Sequence, residues 1–249
     1  WNPDVVVVGG SWKEDHPEIV EAKRRNIPLQ YQLEFINEVA AGKKIIAIAG
    51  THGKTSTTAL MAYVLKEMGQ DPSYLIGSAD VAGLGSNAHA GKGEYFIVEA
   101  DEYKKSVANE VPKFLDLDPY AVILTSVEYD HPDFFKSFDD MKESFAALVN
   151  KPSVELVVYN GEDKDATEVS GKTKKSISVG ETSAAAITDI KEKATKTTFQ
   201  YTYQEEENRY STVLPGDFNA LNAGLVITLL RRFYRCSDRE ASCKILGCG

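Results

Sequence analysis

Residues 44–58, KIIAIAGTHGKTSTT, join an apolar run to Gly50-Thr51-His52-Gly53-Lys54-Thr55-Ser56, and helix-forming residues follow. A glycine-rich corner between strand and helix turns backbone N–H groups toward one point, where the helix dipole adds partial positive charge. Lys54 then reaches the outer phosphates of a nucleotide, and the Thr55 hydroxyl can sit on Mg2+. Gly50 to Ser56 is therefore a candidate ATP site. The general GxxxxGK[ST] spacing is not met, because Ile48 and Ala49 stand where its first glycine would fall. The chain has the shorter Gly-Thr-x-Gly-Lys-Thr form.

Two further apolar runs end in polar clusters. YFIVE closes on Glu99-Ala100-Asp101-Glu102, and AVILTS leads into Val127-Glu128-Tyr129-Asp130-His131. Mg2+ prefers carboxylate and phosphate oxygens, which makes Glu99 a candidate ligand. Imidazole suits softer metals, so His131 reads either as a ligand or as a capping residue before Pro132. Three carboxylates within Glu99–Glu102 repel one another unless a cation joins them.

Elements must bring these residues together. Val5–Val8 reads as a strand, 17–25 as a helix, Ile27–Gln30 as a strand and Gln32–Ala41 as a helix, the end of one doubly wound unit. Ala41-Gly42-Lys43 is the expected hinge into a second unit. That unit reads as strand 44–49, helix 55–68, strands 95–99 and 121–126, helix 137–149 and strand 155–159. The alternation implies an α/β fold with a mainly parallel, doubly wound sheet, whose ligands sit at the carboxyl ends of strands. Residues 176–213, rich in Thr and Tyr, read as short antiparallel strands, and 218–234 as a closing helix.

With 249 residues, 43% hydrophobic and 26% charged, the composition is that of a globular protein. A net charge of −9 disfavours a general nucleic-acid surface, and no apolar run is long enough to cross a membrane. Cys236, Cys243 and Cys248 are odd in number and crowded at one end, without a CxxC pattern. A reducing, cytoplasmic setting is the expectation. Starting at Trp1 and stopping at Gly249, the chain reads as a piece of a longer protein.

Four ordered motifs, GTHGKTSTT, EADEY, EYDHPDFF and LPGDFNALNAG, resemble the central ATPase domain of the Mur ligases. VVVVGGSWKEDHPEIVEAKRRNIPL resembles the end of that family's UDP-binding, Rossmann-like N-terminal domain. The resemblance implies three parts: 1–42 as that N-terminal remnant, 43–236 as the ATP-binding domain, and 237–249 as the start of a linker to a further domain. It makes Lys54, Glu99 and His131 the catalytic group, with Thr55, Glu99 and His131 on Mg2+. Asn219 and Asn222 would hold the nucleotide base, a pair that otherwise reads as a capped or solvated helix face. Asn87 and His89, within GLGSNAHAGKGEYFIVEADE, would lie near the muramoyl substrate.

The implied chemistry is peptidoglycan precursor synthesis. ATP phosphorylates the carboxylate of UDP-N-acetylmuramate, and the amine of L-alanine attacks the acyl phosphate. His52 fits the alanine-adding subgroup. The separation of Glu99 and His131, 32 residues, also resembles the relative that reattaches a recycled tripeptide. Thr125-Ser126 departs from the family's usual Thr-Asn. A nucleotide-binding fragment without turnover and another P-loop NTPase are the alternatives from other classes.

Overall fold

The computed structural model describes residues 2–10, 12–79, 81–105, 111–173 and 175–234. Cys236, Cys243, Cys248 and the expected linker at 237–249 lie outside the described residues. The chain begins with β1 (Val6–Val8), α1 (Pro17–Arg24), β2 (Leu29–Tyr31) and α2 (Gln32–Val39). β1 and β2 pair in parallel as a separate two-stranded sheet. Pro17 opens α1, where its missing N–H costs nothing, and Lys23 and Arg24 face the negative end of the helix dipole.

The main body comprises β3 (Lys44–Ala49), α3 (Lys54–Glu67), β4 (Ser73–Leu75), β5 (Ala88–His89), β6 (Tyr95–Ala100), β7 (Ala121–Leu124), α4 (Phe138–Val149), β8 (Leu156–Asn160), α5 (Lys164–Ser170), β9 (Ser176–Gly180), β10 (Ala185–Lys193), β11 (Lys196–Tyr203), β12 (Glu206–Thr212) and α6 (Asp217–Phe233). Its strands form one ten-stranded sheet in the order β12-β11-β10-β9-β8-β7-β3-β6-β4-β5. β3 pairs in parallel with β6 on one edge and β7 on the other. This reversal of direction opens a crevice at the carboxyl ends of the central strands.

Each face of the sheet has its own core. Ile46 and Ile48 face α3 and α6, while Ile45, Ala47 and Ala49 face α2, α4 and α5. The strands are apolar on both faces because both are covered, as parallel sheets require. Leu33 and Ile36 of α2, with Ala40 just after it, belong to the second core, so the helix before the expected hinge packs with the large sheet.

The tail of the sheet departs from the sequence reading of 176–213 as wholly antiparallel. β9 runs parallel to β8, and only β10, β11 and β12 form the antiparallel meander. A parallel return needs a crossover, and α5 supplies it. That helix begins where Asp163 accepts N–H bonds from Asp165 and Ala166 at 2.9 and 2.8 Å. Its short polar sequence, KDATEVS, carries too little apolar periodicity to stand out. β4 and β5, three and two residues long, likewise leave no pattern in the sequence. None of the helices among the described residues is long and apolar enough to cross a membrane.

Phe145 of α4 is fully buried and stacks on Phe114 with ring centroids 5.3 Å apart. Phe145→Ala is expected to lower unfolding free energy by about 3–5 kcal/mol in urea titration. A loss below about 1 kcal/mol would show that this face is not tightly packed.

Candidate functional site

The phosphate loop leaves β3 at Gly50 and enters α3 at Lys54. Gly50 has φ +131, and a Cβ there would stand 2.2 Å from Thr125 Oγ1 and 2.8 Å from Ser126 backbone atoms. Only glycine fits this approach. Gly53, at φ +79, forms the cap of α3, and Thr57 N–H makes the helix's first bond, to Gly53 O. The amides of Lys54, Thr55 and Ser56 thus precede the helical ladder, the arrangement that receives anions at a helix start.

The segment after β7 braces the loop. Thr51 N–H donates to Ser126 O at 3.1 Å, and His52 N–H donates to Ser126 Oγ at 3.0 Å. Thr125 Oγ1 donates to His52 O at 2.5 Å. Thr51 Oγ1 both donates to Glu128 O and accepts from Glu128 N–H, at 3.0 and 2.9 Å. Ser126, which stands where the resemblance would place Asn, therefore still serves the loop. The exposed His52 ring lies 3.4 Å from a Glu128 carboxylate oxygen.

Lys54 Nζ donates to Gly50 O at 2.6 Å and sits 2.9 Å from Glu102, whose side chain is 1% exposed. Glu102 also lies 3.7 Å from His131 Nε2. The sequence shows Glu102 as one of three clustered acids but not this pairing, because its contact with Lys54 spans 48 residues of chain. Burial pushes the Glu102 carboxyl above its ordinary value, although Lys54 pulls the other way. Asp101 is likewise opposed by burial, but Lys113, 2.5 Å away, and the Tyr103 N–H hold it below its ordinary value. Each of the neighbouring carboxylates is thus paired with its own lysine.

Two donor groups flank the loop. Glu99 accepts from Thr55 Oγ1 at 3.1 Å and from Gly77 N–H at 2.6 Å. A Cβ on residue 77 would stand 3.0 Å from the Glu99 carboxylate, so glycine leaves room for it. This hydroxyl and carboxylate pair fits Mg2+, which takes hard oxygen donors next to phosphate. In the second group, ligand atoms of Asp101, Glu102 and His131 lie within 4.8 Å of one another. His131 is therefore grouped with Asp101 and Glu102, and Glu99 with Thr55.

His131 has φ +55, a left-handed backbone unusual for a non-glycine residue. Its carbonyl accepts from Phe134 and Phe135 N–H, so it also opens a turn. Its ring lies 4.6 Å from that of Tyr103, whose hydroxyl donates to Asp133 at 2.5 Å. The residue thus opens a turn and stands beside two carboxylates.

Asn219 and Asn222 on α6 are buried rather than solvated. Asn222 lies beside Gly53, 3.4 Å from where a Cβ would be, and Asn219 Nδ2 donates to Pro215 O at 2.7 Å. Asn87 lines a cavity of about 470 Å³ together with Gly77, Glu99, Asp101 and Lys113. His89 is not among the residues lining it; its ring bonds Asp71 at 2.8 Å.

Residues 48–230 match the family model described as the Mur ligase middle domain. The chain belongs to the Mur ligase family. Among Mur ligases, it is 34% identical over 232 residues to the UDP-N-acetylmuramate–L-alanine ligase of Carboxydothermus hydrogenoformans, covering 91% of this chain and 48% of that protein. A UDP-N-acetylmuramate:L-alanyl-γ-D-glutamyl-meso-diaminopimelate ligase structure from Neisseria meningitides matches with TM-score 0.81 and 26% identity, over 98% of this chain and 78% of that one. The UDP-N-acetylmuramate-alanine ligase of Thermotoga maritima has the same fold, with TM-score 0.80 and 24% identity over 99% of this chain and 54% of that one. The chain spans about half the length, or less, of the curated Mur ligases it matches.

A carboxyl whose folded value is raised favours folding below its unfolded value and loses that contribution as pH rises through the folded one. For Glu102 the window opens at about 4.5 and extends upward. The stability of the protein relative to Glu102→Gln is expected to fall from pH 4.5 toward pH 7 in urea titrations. A flat difference would show that Glu102 is not a buried carboxylate in solution.

Proposed function

We propose that the chain is the nucleotide-binding core of an ATP-dependent amide ligase that joins L-alanine to the carboxylate of UDP-N-acetylmuramate. The observation that carries this reading is the phosphate loop at the carboxyl end of β3, with Lys54 and Thr55 beside Glu102 and Glu99. Similarity to curated alanine-adding ligases supports the substrates. In this reading residues 1–42 end a UDP-binding domain, 43–236 form the ATP-binding domain, and 237–249 begin a linker.

The open amides at the start of α3 and the Lys54 ammonium bind the triphosphate and neutralise charge that develops during transfer. Mg2+, held by Thr55 and Glu99 and, at a second position, by His131, would supply further charge neutralisation on the phosphoryl oxygens. A carboxylate oxygen of the acid attacks the γ-phosphorus, and the bond to the β-phosphate oxygen breaks with its electron pair leaving on ADP. The amine then attacks the acyl carbon, loses a proton, and phosphate departs. No side-chain nucleophile is required. Asn222, beside Gly53, and Asn219 are the residues for the base, and Asn87 faces the acid.

Reattachment of a tripeptide is the second reading, favoured by the likeness to the Neisseria structure and by the 32-residue separation of Glu99 and His131. Phosphate release with UDP-N-acetylmuramate and ATP, given L-alanine in one arm and L-alanyl-γ-D-glutamyl-meso-diaminopimelate in the other, distinguishes the two. Mg-ATP binding without release in either arm would favour a nucleotide-binding module.

Mg-ATP is expected to raise the melting temperature, since a ligand bound only by the folded state stabilises by RT ln(1 + [L]/Kd). Lys54→Ala is expected to abolish that shift. It should also cost about 3–5 kcal/mol of stability, because it strands the Glu102 carboxylate in the interior. An unchanged Mg-ATP shift in this variant would remove the assignment of the phosphate loop.

A further inference from the structure

Among the described residues, the cavity beside Glu99 has one positively charged residue in its lining, Lys113. Its position is set before any ligand arrives. Lys113 N–H donates to Tyr103 O at 2.9 Å, and the next residue, Phe114, is fully buried. The side chain is 24% exposed, with Nζ 2.5 Å from Asp101 Oδ2. An ammonium has three donors, so the bond to Asp101 leaves two for another acceptor.

Charge makes this matter. Glu99 and Asp101 place two carboxylates in the same wall, and an acid entering the cavity meets their repulsion. The remaining described lining offers Gln32, Asn87, Gly77, Ser78 and apolar side chains, none of which carries positive charge. A carboxylate-bearing ligand is therefore favoured in this space only where it meets Lys113 or a cation at Glu99. Lys113 stands on a fixed 3-10 turn (Lys113–Asp116) and reaches the cavity that also holds a carboxylate neighbour of Thr55.

We propose that Lys113 binds the carboxylate of the acid substrate and holds it in the cavity next to Glu99, making it a determinant of selectivity for carboxylate-bearing sugar nucleotides. The inference rests on the amide-ligase reading and adds to it the residue that distinguishes the acid from its uncharged counterpart. Asp101 acts through Lys113, keeping the ammonium oriented.

The test compares two probes that share the UDP and hexosamine parts. UDP-N-acetylmuramate carries the lactyl carboxylate, and UDP-N-acetylglucosamine lacks it. In calorimetry the unaltered chain is expected to favour the carboxylated probe about tenfold or more, as for a hydrogen bond to a charged group. Lys113→Gln should lose that preference while keeping the Mg-ATP thermal shift, and Lys113→Arg should retain part of it. A Lys113→Gln chain that still prefers the carboxylated probe overturns the proposal. So does loss of the Mg-ATP shift in Lys113→Gln, which would assign the residue to the fold. An unaltered chain with no preference between the probes would instead count against the ligase reading itself.

Discussion

The phosphate loop depends on the strand next to it. A run of glycine and small polar residues has little to hold its own shape, and an ordered anion site requires that its amides be fixed in direction. Here the holding groups come from the segment after β7: Ser126 takes N–H bonds from Thr51 and His52, and Thr125 donates to the His52 carbonyl. The approach is so close that residue 50 has no room for a Cβ. Parallel pairing of β7 with β3 is what brings this brace alongside the loop.

That pairing in turn needs two covered faces. The inward and outward side chains of β3 fill separate cores, one under α3 and α6 and the other under α2, α4 and α5. Each fully buried isoleucine in these strands contributes about 1.5–3 kcal/mol of transfer free energy. The central strands are therefore fixed by packing on both sides, and the crevice at their carboxyl ends inherits that rigidity. Asp163 extends the bracing, since it caps α5 and also accepts from Val127 N–H at 3.0 Å.

Electrostatics then divides the acids at the site. Carboxylates crowded after β6 would repel, and the fold offsets this by pairing Asp101 with Lys113 and Glu102 with Lys54. In the proposed reading a triphosphate at the loop would compete with Glu102 for the same ammonium. The His131 imidazole also lies beside Glu102.

The sequence by itself determined the local features. The β3–loop–α3 corner is contiguous, the apolar runs of the central strands are unbroken, and α6 shows helical periodicity along its length, so these were legible without tertiary knowledge. β4, β5 and α5 were not, because elements so short carry little periodic signal and are stabilised by their neighbours. The direction of β9 depended on the unread α5 crossover. The partners of the site residues belong to tertiary structure alone. Glu102 reaches Lys54 across 48 residues, and His89 turns to Asp71 although Asn87, two residues away, lines the cavity. Sequence fixes which groups exist and which strand end bears them. Only the packed sheet decides which charges become neighbours, because that depends on strand order, and strand order is settled by burying both faces at once.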